Sequence, residues 1–385
     1  MIGYGRQHID PADIRAVTKV LKSNLITQGL QINKFENALK SKFGAKYCTV
    51  VSSGTAALHL TAKALGWKKG DIVLTTPMSF LATANCILYS GAIPVFVDIK
   101  KSTYNIDENK LVEKIINLKS KAKKVVAIIA TDYAGNPNDW TILQSIAKKY
   151  NLCLINDNCH ALGASFKNNS KYAIKYADIV TQSFHPVKHI TTGEGGAVFT
   201  KDKNIDKKIR RLRTHGIVND PKFMKSNHGP WYYEMHELGY NYRITDFQCS
   251  LGASQLKKLN KFVKRRREIA KIYDKELSNK NIFITPKTSI NCRHAYHLYP
   301  LQIDFNKIKI TKKKLFEKFK KHGIQLQVHY IPIHLQPFYK KKFGFKRGDF
   351  PVAENFYEKE VSLPIYYSLK NSQVYKIIRL LKKIR

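Results

Sequence analysis

Three short segments carry side chains that could work together chemically. Ser183-Phe184-His185-Pro186-Val187-Lys188 runs into Thr191-Thr192-Gly193-Glu194-Gly195-Gly196. A lysine amine can attack a carbonyl, and a glycine-rich turn lets backbone approach a ligand closely. The apolar run Leu152–Ile155 ends in Asn156-Asp157-Asn158-Cys159-His160, which delivers a carboxylate and an imidazole to one strand end. Ser52-Ser53-Gly54-Thr55 stands between an apolar run and a helical pattern. Free amides at a helix start, beside hydroxyls, make an anion site suited to phosphate. Each segment also has an ordinary reading: a solvated loop lysine, an aspartate capping a turn, a Ser/Thr helix cap. Taken together they meet the needs of pyridoxal phosphate. The lysine attaches the cofactor, the carboxylate keeps the pyridine nitrogen protonated, and the helix start holds the phosphate.

The elements that must position these groups are read from hydrophobic rhythm. Strands are expected at Tyr47–Val51, Ile72–Thr75, Ile93–Val97, Val125–Ala130, Leu152–Ile155, Asp178–Thr181 and Ala197–Thr200. Helix-length segments lie at Thr55–Leu65, Phe80–Tyr89, Asp107–Leu118 and Trp140–Tyr150. The strands are continuously apolar, so both sheet faces should be buried, as in an α/β domain with a mostly parallel sheet. Asp10-Pro11-Ala12-Asp13 predicts a helix start, followed by Ile14, Val17 and Leu21 at helical spacing. A long helix is expected from Thr245 to about Leu277, and a break at Asn279–Pro286. The remainder reads as a smaller α+β domain. Its expected strands are Tyr296–Ile303 and Ile324–Tyr330, its helices Lys312–Lys321 and Gln373–Ile384. The division expected is 1–250 for an N-terminal arm and large domain, and 251–385 for the long helix and small domain.

The chain has 385 residues, with 67 Lys+Arg against 28 Asp+Glu, a formal charge of +39. That imbalance raises anionic partners without choosing among them. Lys119–Lys124, Lys257–Arg267 and Lys340–Arg347 are basic runs, but no nucleic-acid-binding module accompanies them, so solvated helix faces and loops are expected. Met1–Asp10 lacks an apolar signal core, no stretch reaches transmembrane length, and the six cysteines are scattered. A cytoplasmic protein with free or buried thiols and no membrane partner is the expectation. Histidine pairs His185/His189, His294/His297 and His329/His334 have loosely ligand-like spacing, but none forms His-Glu-x-x-His, and no metal is expected.

The motifs resemble the DegT/DnrJ/EryC1/StrS family of sugar-nucleotide aminotransferases over nearly the whole chain. The matching stretches include Gly5-Arg6-Gln7, LITQG at Leu25–Gly29, SSGTAALHL at Ser52–Leu60, TPMSF at Thr76–Phe80, PVFVD at Pro94–Asp98, Asp157–Gly163, Ser183–Gly196 and GYNYRITDFQ at Gly239–Gln248. Within the family, SFHPVKHITTGEGGAV, GPWYYEM at Gly229–Met235 and VHYIPIHLQPFY at Val328–Tyr339 are most similar to the branch acting in pseudaminic acid synthesis.

The resemblance implies a type I aminotransferase fold and a pyridoxal 5'-phosphate cofactor. It implies that Lys188 carries the cofactor and shuttles the proton, that Asp157 pairs with the pyridine nitrogen, and that His160 lies near the phenolic oxygen. Phe80 would cover the ring, and Gly54, Thr55 and Ser183 would hold the phosphate, joined by Asn241 from the partner chain of a homodimer. Tyr4, Leu25, Ile26, Thr27, Gln28, Ser53, His329, Tyr330 and Ile331 would line the sugar-nucleotide pocket. Relatives that dehydrate the sugar have histidine in place of this lysine, so Lys188 implies amino transfer. The implied reaction moves the amino group of L-glutamate to C4 of a UDP-linked 4-keto-6-deoxy-N-acetylhexosamine. In the named branch that acceptor is UDP-2-acetamido-2,6-dideoxy-β-L-arabino-hex-4-ulose, and the product is UDP-4-amino-4,6-dideoxy-N-acetyl-β-L-altrosamine.

Overall fold

The computed structural model describes residues 1–278 and 281–384. The apolar runs become β1 (Tyr47–Val51), β2 (Asp71–Thr75), β3 (Ile93–Phe96), β4 (Lys124–Thr131) and β5 (Cys153–Asp157). A short β6 (Ser165–Phe166) pairs outside the main sheet with Cys292–Arg293, and β7 (Ile179–Ser183) and β8 (Gly196–Thr200) follow. The main sheet has seven strands in the order β1-β8-β7-β5-β4-β2-β3. All neighbours run parallel except β8, which is antiparallel to both β1 and β7.

Successive residues feed two separate cores. Val50, Leu74, Ile128, Leu154 and Val180 join the cluster on one face; Val51, Val73, Ile129, Ile155 and Ile179 join the cluster on the other. This is why the runs are apolar at every position rather than at every second one. Full burial of each such side chain contributes about 1.5–3 kcal/mol. Asp157 ends β5 and Ser183 ends β7, while Gly54 opens a helix just beyond β1, so the three groups gather at one sheet edge.

Four helices frame the first hundred residues: α1 (Pro11–Leu21), α2 (Leu30–Phe43), α3 (Gly54–Ala64) and α4 (Leu81–Tyr89). Asp10 caps α1 as the sequence predicts, in a box with Asp13. The stripe of Ile14, Val17 and Leu21 does not bury as its spacing suggests. Ile14 and Leu21 are 58% and 55% exposed, and the helix docks through Val20 and Asp13 instead. Asp13 is fully buried and held by Lys258 Nζ at 2.6 Å and Gln255 Nε2 at 2.6 Å. That polar anchor fixes the rotation of the helix, and its apolar stripe is left facing outward.

The long helix runs Asp246–Leu277, capped by a reciprocal Thr245/Gln248 pair. At about 1.5 Å per residue it spans close to 48 Å. Leu259, Phe262 and Val263 belong to the large-sheet core, whereas Ile269, Ala270, Tyr273 and Leu277 belong to a second core. Ile2 also packs in that second core, through a bridge to Ile324. The expected break at Asn279–Pro286 begins at residues 279 and 280, which lie outside the described residues.

The second core surrounds a three-stranded antiparallel sheet, Phe283–Ile284, Tyr299–Ile303 and Glu360–Leu363, with Tyr299–Ile303 in the middle. Helices Lys312–Lys321 and Asn371–Lys382 cover it. The expected strand Ile324–Tyr330 is not a strand. It makes only isolated bridges, Ile2 to Ile324 and Gln327 to Ser362. Ile324 and Leu326 are buried, so the apolar alternation is real, but the place beside Tyr299–Ile303 is taken by Glu360–Leu363.

Candidate active site

Lys188 lies in the turn after β7, its N–H donating to the His185 carbonyl at 2.9 Å. Its Nζ is 3.3 Å from His297 Nε2, its one hydrogen-bond partner among the described residues. Burial lowers the lysine pKa, nearby Cys159 and Asp157 act the other way, and the Arg266 guanidinium lowers it further. An amine so placed loses its proton more readily than a surface lysine.

Asp157 is buried at the end of β5. Its Oδ2 accepts from Thr83 Oγ on α4 at 2.7 Å, and its Oδ1 accepts from the Cys159 N–H at 3.3 Å. Neither partner is a cation. A buried carboxylate held only by neutral donors is costly, and a protonated ring nitrogen would supply the missing charge. His160 is buried three residues on. Burial pushes its pKa well below the usual value and keeps the ring neutral. Its Nε2 lies 2.9 Å from Tyr330 Oη, while Nδ1 has no partner among the described residues.

The start of α3 meets the end of β7 by close approach. A Cβ placed on Gly54 would sit 2.8 Å from the Ser183 Cβ, so only glycine lets the start of α3 come this near the end of β7. The Ser53 hydroxyl is committed to capping α3, accepting from the Ala56 N–H at 3.0 Å. Gly54 and Thr55, half-buried in the first turn, keep backbone N–H groups free of the helix ladder. Gly54→Ala is expected to weaken cofactor binding at least about tenfold, or about 1.4 kcal/mol. Quenching of intrinsic fluorescence during cofactor titration measures this.

Tyr4, Phe80, His160, His329 and Tyr330 form a chain of aromatic contacts. The Tyr4 and His329 rings are 5.2 Å apart, His329 and Tyr330 5.0 Å, Tyr330 and Phe80 6.0 Å. Phe80 keeps 55% of its surface exposed and Ile331 keeps 46%. His329 is oriented from behind: Nδ1 lies 2.8 Å from Ser362 Oγ, and its N–H donates to Glu360 Oε2 at 3.0 Å. Leu25, Ile26, Thr27 and Gln28 form an exposed loop tied to the start of the long helix by Asp246, and their side chains hydrogen-bond to none of these groups among the described residues. Asn241 is also exposed, its backbone bridged to Thr214.

Several residues at the site carried no expectation of a role. Thr83, Glu360 and Ser362 touch Asp157 or His329 from outside any chemical motif, and His297, noted only for its spacing from His294, touches Lys188. Arg266 corrects an expectation: within the basic run Lys257–Arg267 it is not solvated but 2% exposed, bonded to the carbonyls of Tyr296, His297 and Ile365. Phe262 in the same run is buried too. The signal was present, since Arg266 continues the stripe Leu259, Phe262, Val263, Ile269, Ala270, Tyr273 at helical spacing.

The sheet and the helices around it have the fold of type I pyridoxal-phosphate aminotransferases. The DegT/DnrJ/EryC1/StrS aminotransferase family matches residues 7–382, and the chain belongs to that family. An uncharacterised protein of Methanocaldococcus jannaschii is 45% identical over 98% of this chain and 96% of its own. The UDP-4-amino-4,6-dideoxy-N-acetyl-beta-L-altrosamine transaminase of Campylobacter jejuni subsp. jejuni serotype O:23/36 is 42% identical over 100% of this chain and 99% of its own. Among solved structures, Helicobacter pylori PseC, an aminotransferase involved in the biosynthesis of pseudoaminic acid, matches with TM-score 0.90 and 35% identity, covering 100% of this chain and 99% of that one. The protein is a pyridoxal-phosphate-dependent sugar aminotransferase. No helix among the described residues is long and apolar enough to cross a membrane.

Proposed function

We propose that this enzyme transfers the amino group of L-glutamate to C4 of UDP-2-acetamido-2,6-dideoxy-β-L-arabino-hex-4-ulose, in the cytoplasm, as a step toward pseudaminic acid. The observation that carries the reading is the full-length similarity to relatives named for the altrosamine product, at 42%, 41% and 36% identity. The cofactor, when bound, stores the amino group and accepts the electron pair released at the reacting carbon. Lys188 carries the cofactor and moves a proton at that carbon; Asp157 holds the ring nitrogen protonated; His160 lies beside the ring's oxygen. Gly54, Thr55 and Ser183 hold the phosphate, and Phe80 covers the ring. The Tyr4–His329–Tyr330 cluster receives the sugar, with Ile331 and the Leu25–Gln28 loop around it.

The test is incubation with glutamate and a panel of UDP- and dTDP-linked 4-ketosugars, with products assigned by mass and NMR. Preference for the L-arabino ketose supports the proposal; preference for a D-xylo or dTDP-linked acceptor assigns another sugar to the same chemistry.

The exposed Asn241 fits a site completed by a second copy of the chain, in which it reaches the partner's phosphate. Asn241→Ala and Lys188→Ala, each inactive alone, are then expected to regain up to about a quarter of wild-type activity when unfolded and refolded together, because mixed dimers hold one intact site. Activity no greater than that of the separate variants would rule out the shared site.

A further inference from the structure

His297 is the one group within hydrogen-bond reach of Lys188 Nζ among the described residues, and no motif assigns it a task. Its backbone is fixed from two sides. Arg266 Nη1 donates to its carbonyl at 3.2 Å and to that of Tyr296 at 3.1 Å. On the other side Ala295 N–H donates to the Gly135 carbonyl at 2.8 Å and Leu298 N–H to the Ala134 carbonyl at 3.2 Å. Gly135, at φ +97°, lets this segment close in: a Cβ there would stand 2.7 Å from the His160 carbonyl and 3.1 Å from the His297 nitrogen. The ring is 4% exposed, its Nδ1 has no hydrogen-bond partner among the described residues, and its Nε2 faces Lys188 Nζ, so the fixed backbone aims the ring at the lysine.

We propose that His297 is a further catalytic residue, the hydrogen-bond acceptor that receives the Lys188 ammonium whenever the lysine is free of the cofactor. The inference rests on the reading that Lys188 carries the cofactor. A lysine that takes a proton from substrate carbon becomes an ammonium in a buried place, and that charge needs an acceptor. The neutral imidazole, with its proton on Nδ1, offers the Nε2 lone pair; the N–H bonds of the ammonium stay intact, and the same proton is later returned to carbon.

The charged and titratable neighbours keep the ring neutral. His160 packs at 4.5 Å and His189 at 5.8 Å between ring centroids, both themselves neutral by burial. Burial first, then Lys188, His160, His189 and Arg266, hold the His297 pKa well below the usual range. His329, also lowered by burial, and the Cys159 and Asp157 side chains complete the surroundings of Lys188. An imidazolium at His297 would repel the ammonium it is meant to receive, so the crowding of positive groups serves the role.

The experiment uses the apoprotein: competitive acetylation of Lys188 across pH, followed by mass spectrometry of its peptide, gives the midpoint at which the amine loses its proton. His297→Leu leaves the ammonium without an acceptor, and its midpoint is expected to fall by about one pH unit. His297→Gln, which can reach with its carbonyl oxygen, should stay near the wild-type midpoint. His297→Asn, too short to reach, should follow the leucine variant and replaces it if that one does not fold. A midpoint that stays within about 0.3 of wild type in the leucine or asparagine variant, or that rises, overturns the proposal. Borohydride reduction of the wild-type holoenzyme separates the two failures. Cofactor absent from the Lys188 peptide sinks the role given to the lysine; cofactor present there with an unmoved midpoint sinks only the role given to His297.

Discussion

Lys188→Ala is expected to lower amino transfer by at least on the order of 10⁴-fold and to leave the cofactor bound without a covalent link. The loss is that large because the proposed function gives one side chain two tasks, attachment and proton transfer at the same carbon. Among the described residues no other amine is within hydrogen-bond reach of His297, where Nζ rests. Borohydride treatment followed by peptide mapping should find the cofactor on the Lys188 peptide of the wild type and nowhere in the variant. Residual activity above about 1% of wild type would remove Lys188 from the mechanism. The same lysine sets an arm of the pH profile. Its pKa is lowered by burial, so the fraction in the neutral, reactive form rises with pH and levels off below the ordinary lysine value of about 10.5.

Asp157→Ala is expected to cost about 10³-fold or more in the rate of amino transfer while the protein stays folded. Asp157 places a carboxylate at the end of β5, and in the proposed site the ring nitrogen would lose with it the partner that keeps it protonated. Asp157→Asn should fail nearly as badly, because an amide keeps the shape but not the charge. The control is stability. In the apoprotein this carboxylate is buried with two neutral donors, Thr83 and the Cys159 N–H, so removing it relieves a desolvation cost. Thermal unfolding of apo Asp157→Ala should therefore occur no more than a few degrees below wild type. Activity within tenfold of wild type would show that Asp157 does not serve the ring.

Much of the molecule could be read in advance where one physical rule acted alone. The seven apolar runs became the seven strands of the main sheet because burial of both faces selects apolar side chains along most of their length. Trp140–Tyr150 and Lys312–Lys321 match their expected bounds, and the long helix expected from Thr245 begins at Asp246, with Thr245 as its cap. Reading failed where two rules competed. On α1 the buried Asp13, clasped by Lys258 and Gln255, outweighed the apolar stripe. In the smaller domain, Glu360–Leu363 offered four alternating residues after a helix, a weaker signal than Ile324–Tyr330, yet it holds the ladder. That Lys188, Asp157 and His160 come to one end of the sheet was legible because each stands at or beyond a strand end. His297 and Thr83 were not, since their contacts span 109 and 74 residues of chain.

The long helix limits how this enzyme can move. It has no proline and a single glycine, Gly252, near its start, so no breakpoint separates the stretch rooted beneath the main sheet from the stretch rooted in the smaller core. A clamshell motion pivoting there would have to flex an uninterrupted rod. Under the proposed function, give around a bulky sugar-nucleotide acceptor would therefore come from the lighter crossings: the strip carrying Tyr4, the segment from His329 to Ile331, and the exposed ring of Phe80.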